Sequence, residues 1–145
     1  MTIYFDMDGT LANFYGVENW LDCLINSDPR PYEKAEPLFQ LEQMELLMER
    51  LKNNGYQIGI ISWLSKGGTA DFNKTVRRVK KEWLEKFFPY ATEIHIVKYG
   101  TPKWSVAKDL GYLIDDEEKN LFDWGSKYGK SVPASEMMEF LEGLV

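Results

Sequence analysis

Among 145 residues there is one cysteine and one histidine. A single thiol, Cys23, excludes an internal disulfide and fits a reducing compartment. No apolar run approaches the roughly 20 residues that a membrane-crossing helix needs. The amino terminus, MTIYFDMDG, lacks a basic stretch followed by an apolar one. No signal peptide is read there, and a cytoplasmic location is expected. Internal repeats, low-complexity tracts and linkers are absent too, which leaves one domain spanning residues 1–145. Positive charge is scarce: 17 Lys and Arg stand against 23 Asp and Glu, a net charge of −6. Phosphate backbones attract positive surfaces, so this balance disfavours a nucleic-acid binder. Residues 66–86 run the other way, with Lys66, Lys74, Arg77, Arg78, Lys80, Lys81 and Lys86 against Asp71, Glu82 and Glu85. This run reads as a solvated helix face, with a docking patch for a polyanion as the alternative.

What is present is an alternation of short apolar runs with amphipathic segments. Residues 2–6 form the first run, followed by a polar, aromatic-rich stretch from 13 to 36 with a short helix at 17–26. Leu38, Leu41, Met44, Leu47, Met48 and Leu51 recur at helical spacing over 38–52, and NNG stops that helix. YQIGIIS (56–62) is the second strand, and a long helix follows at about 71–88. EIHIV (93–97) is the third strand, with His95 in its middle as a structural residue. A short helix at 103–109 leads into GYLID (111–115), then helix at about 117–125, a strand at 130–132 and a closing helix at 134–144. Such alternation implies an α/β fold with a parallel sheet and right-handed crossovers.

IYFDMDGT, residues 3–10, ends its strand on an acid and repeats the acid two positions later. Neighbouring strand side chains point to opposite faces, so Ile3, Tyr4 and Phe5 are all buried only if both sheet faces are covered. Polar groups at the carboxyl ends of such strands lie where open α/β sheets bind ligands. Asp6 and Asp8 close the first strand, Ser62 the second, and Asp115 and Asp116 the fourth; Lys103 precedes Asp115 by twelve residues. Four carboxylates at one edge cannot stay ionised together without a cation, and oxygen-only ligands fit magnesium. Lysine and serine would supply contacts to a phosphate completing the metal's shell.

DMDGTLANF, IIS, TPKW and LIDDEEKN, in this order, resemble the four motifs of the haloacid dehalogenase (HAD) superfamily of phosphotransferases. The resemblance covers residues 2 to about 125 and implies a three-layer, Rossmann-like sheet flanked by helices. It further implies an aspartyl-phosphate mechanism. Asp6 resembles the nucleophile, and Asp8 the acid that protonates the leaving oxygen and then the base that activates water. Ser62 and Lys103 would hold the phosphoryl group; Lys103 is preferred over Lys98 and Lys108 for its spacing. Mg²⁺ would be bound by Asp6, the backbone carbonyl of Asp8, and either Asp115 or Asp116. Asn120 would fix the loop after Asp116.

In this superfamily an inserted cap selects the substrate, and here residues 13–36 leave room for a minimal one. Either the site is open to large substrates or a partner subunit closes it, which would make a homo-oligomer. DMDGTLANF is similar to the opening of the 5′(3′)-deoxyribonucleotidases, which carry a much longer cap. Phe14 falls where that family stacks a ring on the nucleobase, and Trp20 and Trp63 are further rings near the site. The expected function is therefore a Mg²⁺-dependent phosphomonoester hydrolase acting on nucleoside monophosphates or a related small phosphate ester. The alternatives are a phosphatase of a polynucleotide end or phosphoprotein, and a non-catalytic binding protein of the same fold.

Overall fold

The computed structural model describes residues 1–127 and 129–145. Strand β1 (Thr2–Phe5) is buried along its whole length, as an apolar run without alternation requires. It lies between β2 (Gln57–Trp63) and β4 (Tyr112–Asp115). Outside these stand β3 (Glu93–Val97) and β5 (Lys130–Pro133), giving one sheet of order β3-β2-β1-β4-β5. All four pairings are parallel. The helices are α1 (Trp20–Ile25), α2 (Arg30–Lys34), α3 (Leu41–Asn53), α4 (Ala70–Phe87), α5 (Glu118–Gly125) and α6 (Met137–Leu144). The expected α/β architecture is present.

The pleat sorts the core onto two faces. Ile3, Phe5, Ile58, Ile60 and Ile114 pack in one cluster with Met44, Leu47 and Leu51 of α3, Trp83 and Leu84 of α4, and Leu141 of α6. Tyr4, Ile61 and Leu113 pack on the other face around Trp124 of α5, with Trp104 against them. Register brings Tyr4 beside Gly59. A Cβ at Gly59 would land 2.5 Å from the Tyr4 ring, so only glycine leaves that ring its place. The Tyr4 hydroxyl donates to Glu93 Oε2 at 2.7 Å, and His95 Nε2 lies 2.7 Å from the same oxygen. Burial and the Glu93 contact push the Tyr4 phenol up to about 12. His95 is thereby committed to a structural network.

Besides α2, which the sequence reading did not include, four segments differ from the sequence expectation. The helix expected at 17–26 begins only at Trp20, because Asn19 takes a left-handed conformation at φ 59°. The helix expected from residue 38 starts at Leu41, since the Leu38 amide donates to the Leu11 carbonyl at 2.8 Å. At 103–109 there is only a 3₁₀ turn, Lys103–Ser105. Downstream, the Lys108 amide donates to Tyr4 Oη (3.0 Å), and Asp109 accepts from the Thr2 amide (3.2 Å), so both groups bond to β1 instead of continuing a helix. The closing helix divides into a 3₁₀ turn, Ala134–Glu136, and α6.

Candidate active site

β1 and β4 end side by side, and the Asp6 amide still donates to the Ile114 carbonyl at 2.9 Å. The alternation along both strands therefore turns Asp6 and Asp115 to the face of Tyr4 and Leu113. Lys103, carried by the 3₁₀ turn on that face, reaches both: Nζ lies 2.7 Å from Asp6 Oδ1 and 2.8 Å from Asp115 Oδ2. Asp115 is further held by Asn120 Nδ2 (3.1 Å) and the Glu117 amide (3.0 Å). The other Asp6 oxygen accepts from Thr10 Oγ1 at 3.2 Å, which also lies 3.4 Å from Asp116 Oδ1. Asn120 thus orients an acid, and Lys98 and Lys108 take no part in this cluster.

Between these elements the chain makes a tight loop. Gly9 has φ +85°, and a Cβ there would overlap the Asp116 carboxylate. Asp6, Asp115 and Asp116 each place one carboxylate oxygen within 4.8 Å of the others. Asp115 is pushed up from its ordinary range by burial and by the Asp6 charge, against the pull of Lys103. Asp116 keeps one side in water at the rim; lost hydration, then Asp6 and Asp115, push its carboxyl up to about 8. Burial disfavours the Lys103 cation, but Asp6 and Asp115 outweigh it and raise its pKa. Three acids facing one ammonium leave a surplus of negative charge, and all the donors are hard oxygens. That donor set fits a divalent cation such as Mg²⁺.

Ser62 points the other way. It follows Ile58 and Ile60 in the alternation of β2, so it faces α4 and is buried. Its Oγ accepts from Lys80 Nζ at 2.7 Å. The same ammonium donates to Asp8 Oδ2 (2.9 Å) and to the Trp63 carbonyl (2.7 Å). Lys80 is 1% exposed, which corrects its reading as part of a solvated basic face. The signal lay in the helical phase, because residue 80 is four from both Val76 and Leu84 on the apolar stripe of α4. Its neighbours Arg78 and Glu82 do form an exposed pair at 2.9 Å.

A cleft of about 580 Å³ opens over Asp6, Asp8, Lys103, Asp115 and Asp116. One wall is the 13–36 segment, through Phe14, Tyr15, Trp20, Leu21, Leu24 and Tyr32. Trp63 and Tyr99 also line the cleft, their centroids 4.8 Å apart, with Lys66 5.6 Å from the Tyr99 ring centroid. Phe14 is buried among Tyr15, Trp20 and Tyr32, with centroids at 5.1, 5.6 and 4.8 Å. Burial, followed by the charges of Asp116 and Asp8, pushes the Tyr15 phenol above its ordinary range. Tyr15, Tyr32 and Tyr99 escaped the sequence reading, since nothing in local spacing tells which tyrosines of a polar stretch turn inward. Asp6, Asp8, Lys103, Asp115, Asp116, Phe14 and Trp63 share the cleft; Ser62 lies behind it.

No protein-family model and no curated protein sequence matches the chain. Among solved structures, a HAD family enzyme from Bacteroides thetaiotaomicron superposes with a TM-score of 0.51 at 14% identity, covering 91% of this chain and 92% of the other. The fold is HAD-like.

Proposed function

We propose that this chain is a Mg²⁺-dependent phosphomonoester hydrolase of the HAD type that works through an aspartyl-phosphate. The observation that carries this reading is Asp6, a buried carboxylate held by Lys103 and Thr10 among two further acids on the floor of a walled cleft. In the first step an Asp6 oxygen attacks phosphorus and the bond from phosphorus to the leaving oxygen breaks; Asp8 donates its proton to that oxygen. In the second, Asp8 takes a proton from water as the water oxygen bonds to phosphorus and Asp6 is released. Lys103 faces the phosphoryl charge, whereas Ser62, behind the cleft, accepts from Lys80 and makes no phosphate contact in this mechanism. Mg²⁺, held by Asp6, Asp115 or Asp116 and the Asp8 carbonyl, would supply charge stabilisation to the phosphoryl oxygens.

The cleft volume falls in the range of small-molecule sites, and its aromatic walls suit a planar leaving group. Both features favour a nucleoside monophosphate or similar small ester, in the aqueous cell interior, over a macromolecular phosphate. Residues 13–36 serve in this reading as a minimal cap. The test is phosphate release from a panel of nucleoside monophosphates and small aryl phosphates with magnesium. Turnover is expected that both excess chelator and Asp6→Asn abolish. Activity undiminished by either, or a panel without any turnover, would overturn the proposal.

A further inference from the structure

Lys80, on the crossover helix, reaches the reacting edge. Its Nζ joins three groups from two places: the Asp8 carboxylate from the loop after β1, and the Ser62 hydroxyl and Trp63 carbonyl at the end of β2. It also sits 5.1 Å from the Tyr32 ring centroid, so the 13–36 segment closes over it. A lysine buried this fully is costly unless each of its protons is used. Here all three have an acceptor within 2.9 Å, which fixes the ammonium and leaves it one acidic partner, Asp8. The other Asp8 oxygen is then the one free to meet a substrate, and the side chain remains partly exposed to the cleft.

We propose that Lys80 is the positioning residue of Asp8, holding one carboxylate oxygen against the Ser62 end of β2 so that the other faces the leaving group. This rests on the phosphatase reading above. Asp8 moves one proton out to the leaving oxygen and one in from water, and both transfers need the same oxygen at one place. A carboxylate free to rotate would spend part of its time away from the reacting line. Lys80 touches no substrate; it acts through Asp8 alone.

The test is a set of variants: Lys80→Met, Lys80→Gln, Lys80→Arg, Asp8→Asn, and Asp8→Asn combined with Lys80→Met. Each is assayed on a nucleoside monophosphate and on an aryl phosphate whose leaving group needs no proton, and crystal structures of wild type and Lys80→Met are compared. Lys80→Met is expected to lower kcat on the nucleotide by about ten- to a hundredfold, part of the roughly 10²–10⁴ that general acid–base catalysis supplies. KM should stay within about twofold, and formation of the phosphoenzyme from the aryl ester should suffer least. Lys80→Arg should recover part of the loss, and Lys80→Met should cost nothing further in the Asp8→Asn background. Equal losses with Asp8 and without it, or an equal loss in the rate of phosphoenzyme formation from both substrates, would overturn the assignment. If Lys80→Met is insoluble, Lys80→Gln carries the same comparison. If the wild type turns over no substrate, the phosphatase reading falls by itself and the crystal structures decide. Asp8 displaced in the variant supports the inference; Asp8 unmoved ends it.

Discussion

Lys103 and Lys80 are both buried ammonium groups at the carboxyl edge of one sheet, yet their surroundings differ in charge. Lys103 stands between Asp6 and Asp115 with Asp116 close by, whereas Lys80 holds Asp8 and two neutral oxygens. The first corner retains surplus negative charge and calls for a cation. The second is balanced as it stands. In the proposed mechanism one sheet edge separates two kinds of work by face: charge stabilisation beside Tyr4 and Leu113, proton handling beside α4. The pleat is the reason, since Asp6 and Ser62 continue opposite sides of their strands.

The hardest blow to the Lys103 corner is Asp6→Asn. It should abolish phosphoenzyme formation, and trapping of radiolabelled phosphate on that variant would break the assignment of roles. Asp8→Asn strikes the balanced corner and should cost about 10²–10⁴ in turnover while metal binding persists. Measured side by side, a variant that lost both turnover and metal would show that the two corners are not separate.

Titration sharpens the contrast further. If Asp116 rather than Asp115 is the ligand, it must give up a proton from a carboxyl pushed up to about 8 before it binds metal. Magnesium affinity, followed by calorimetry, should therefore rise by about tenfold per pH unit below that value and level off above it. In the metal-free protein the sign for stability is reversed from the usual carboxylate case. The folded-state pKa lies above the roughly 3.9 of an unfolded aspartate, so stability falls as pH rises from there to about 8. Magnesium should relieve that loss most at the alkaline end. Melting temperatures that are independent of pH across this window would remove Asp116 from the charge surplus.

The smallest expected effect lies in the walls. Phe14→Leu keeps an apolar group in the cluster with Tyr32 and Trp20 but removes a ring. It should raise KM for nucleotides by severalfold and leave a small aryl phosphate nearly unchanged, since a stacked ring is worth roughly 1–3 kcal/mol. Equal changes on both substrates would make Phe14 a packing residue. Both corners would then stand apart from substrate recognition.

Much of this was legible beforehand. The strands were found because an apolar run without alternation between turn residues has one reading in an α/β chain. Asp6, Asp8, Asp115 and Asp116 stood out because acids at strand ends are chemically conspicuous. Lys80 did not, being one of seven basic residues in a run that otherwise faces water. The helix expected at 103–109 failed because the Lys108 amide and the Asp109 carboxylate bond to β1, more than a hundred residues away.

By itself the sequence determined the order of the strands' chemistry: which acids end which strands, that the sheet is parallel, and that its carboxyl edge is crowded with carboxylates. Those follow from short-range rules of period, turn residue and charge. Only the tertiary structure decided which way each group faces. It put Ser62 with Lys80 behind the cleft, Asp115 with Lys103 in front, and Tyr15, Tyr32 and Tyr99 on the walls. Facing depends on register between strands far apart in the chain and on the helix that covers each side, and no local pattern encodes either.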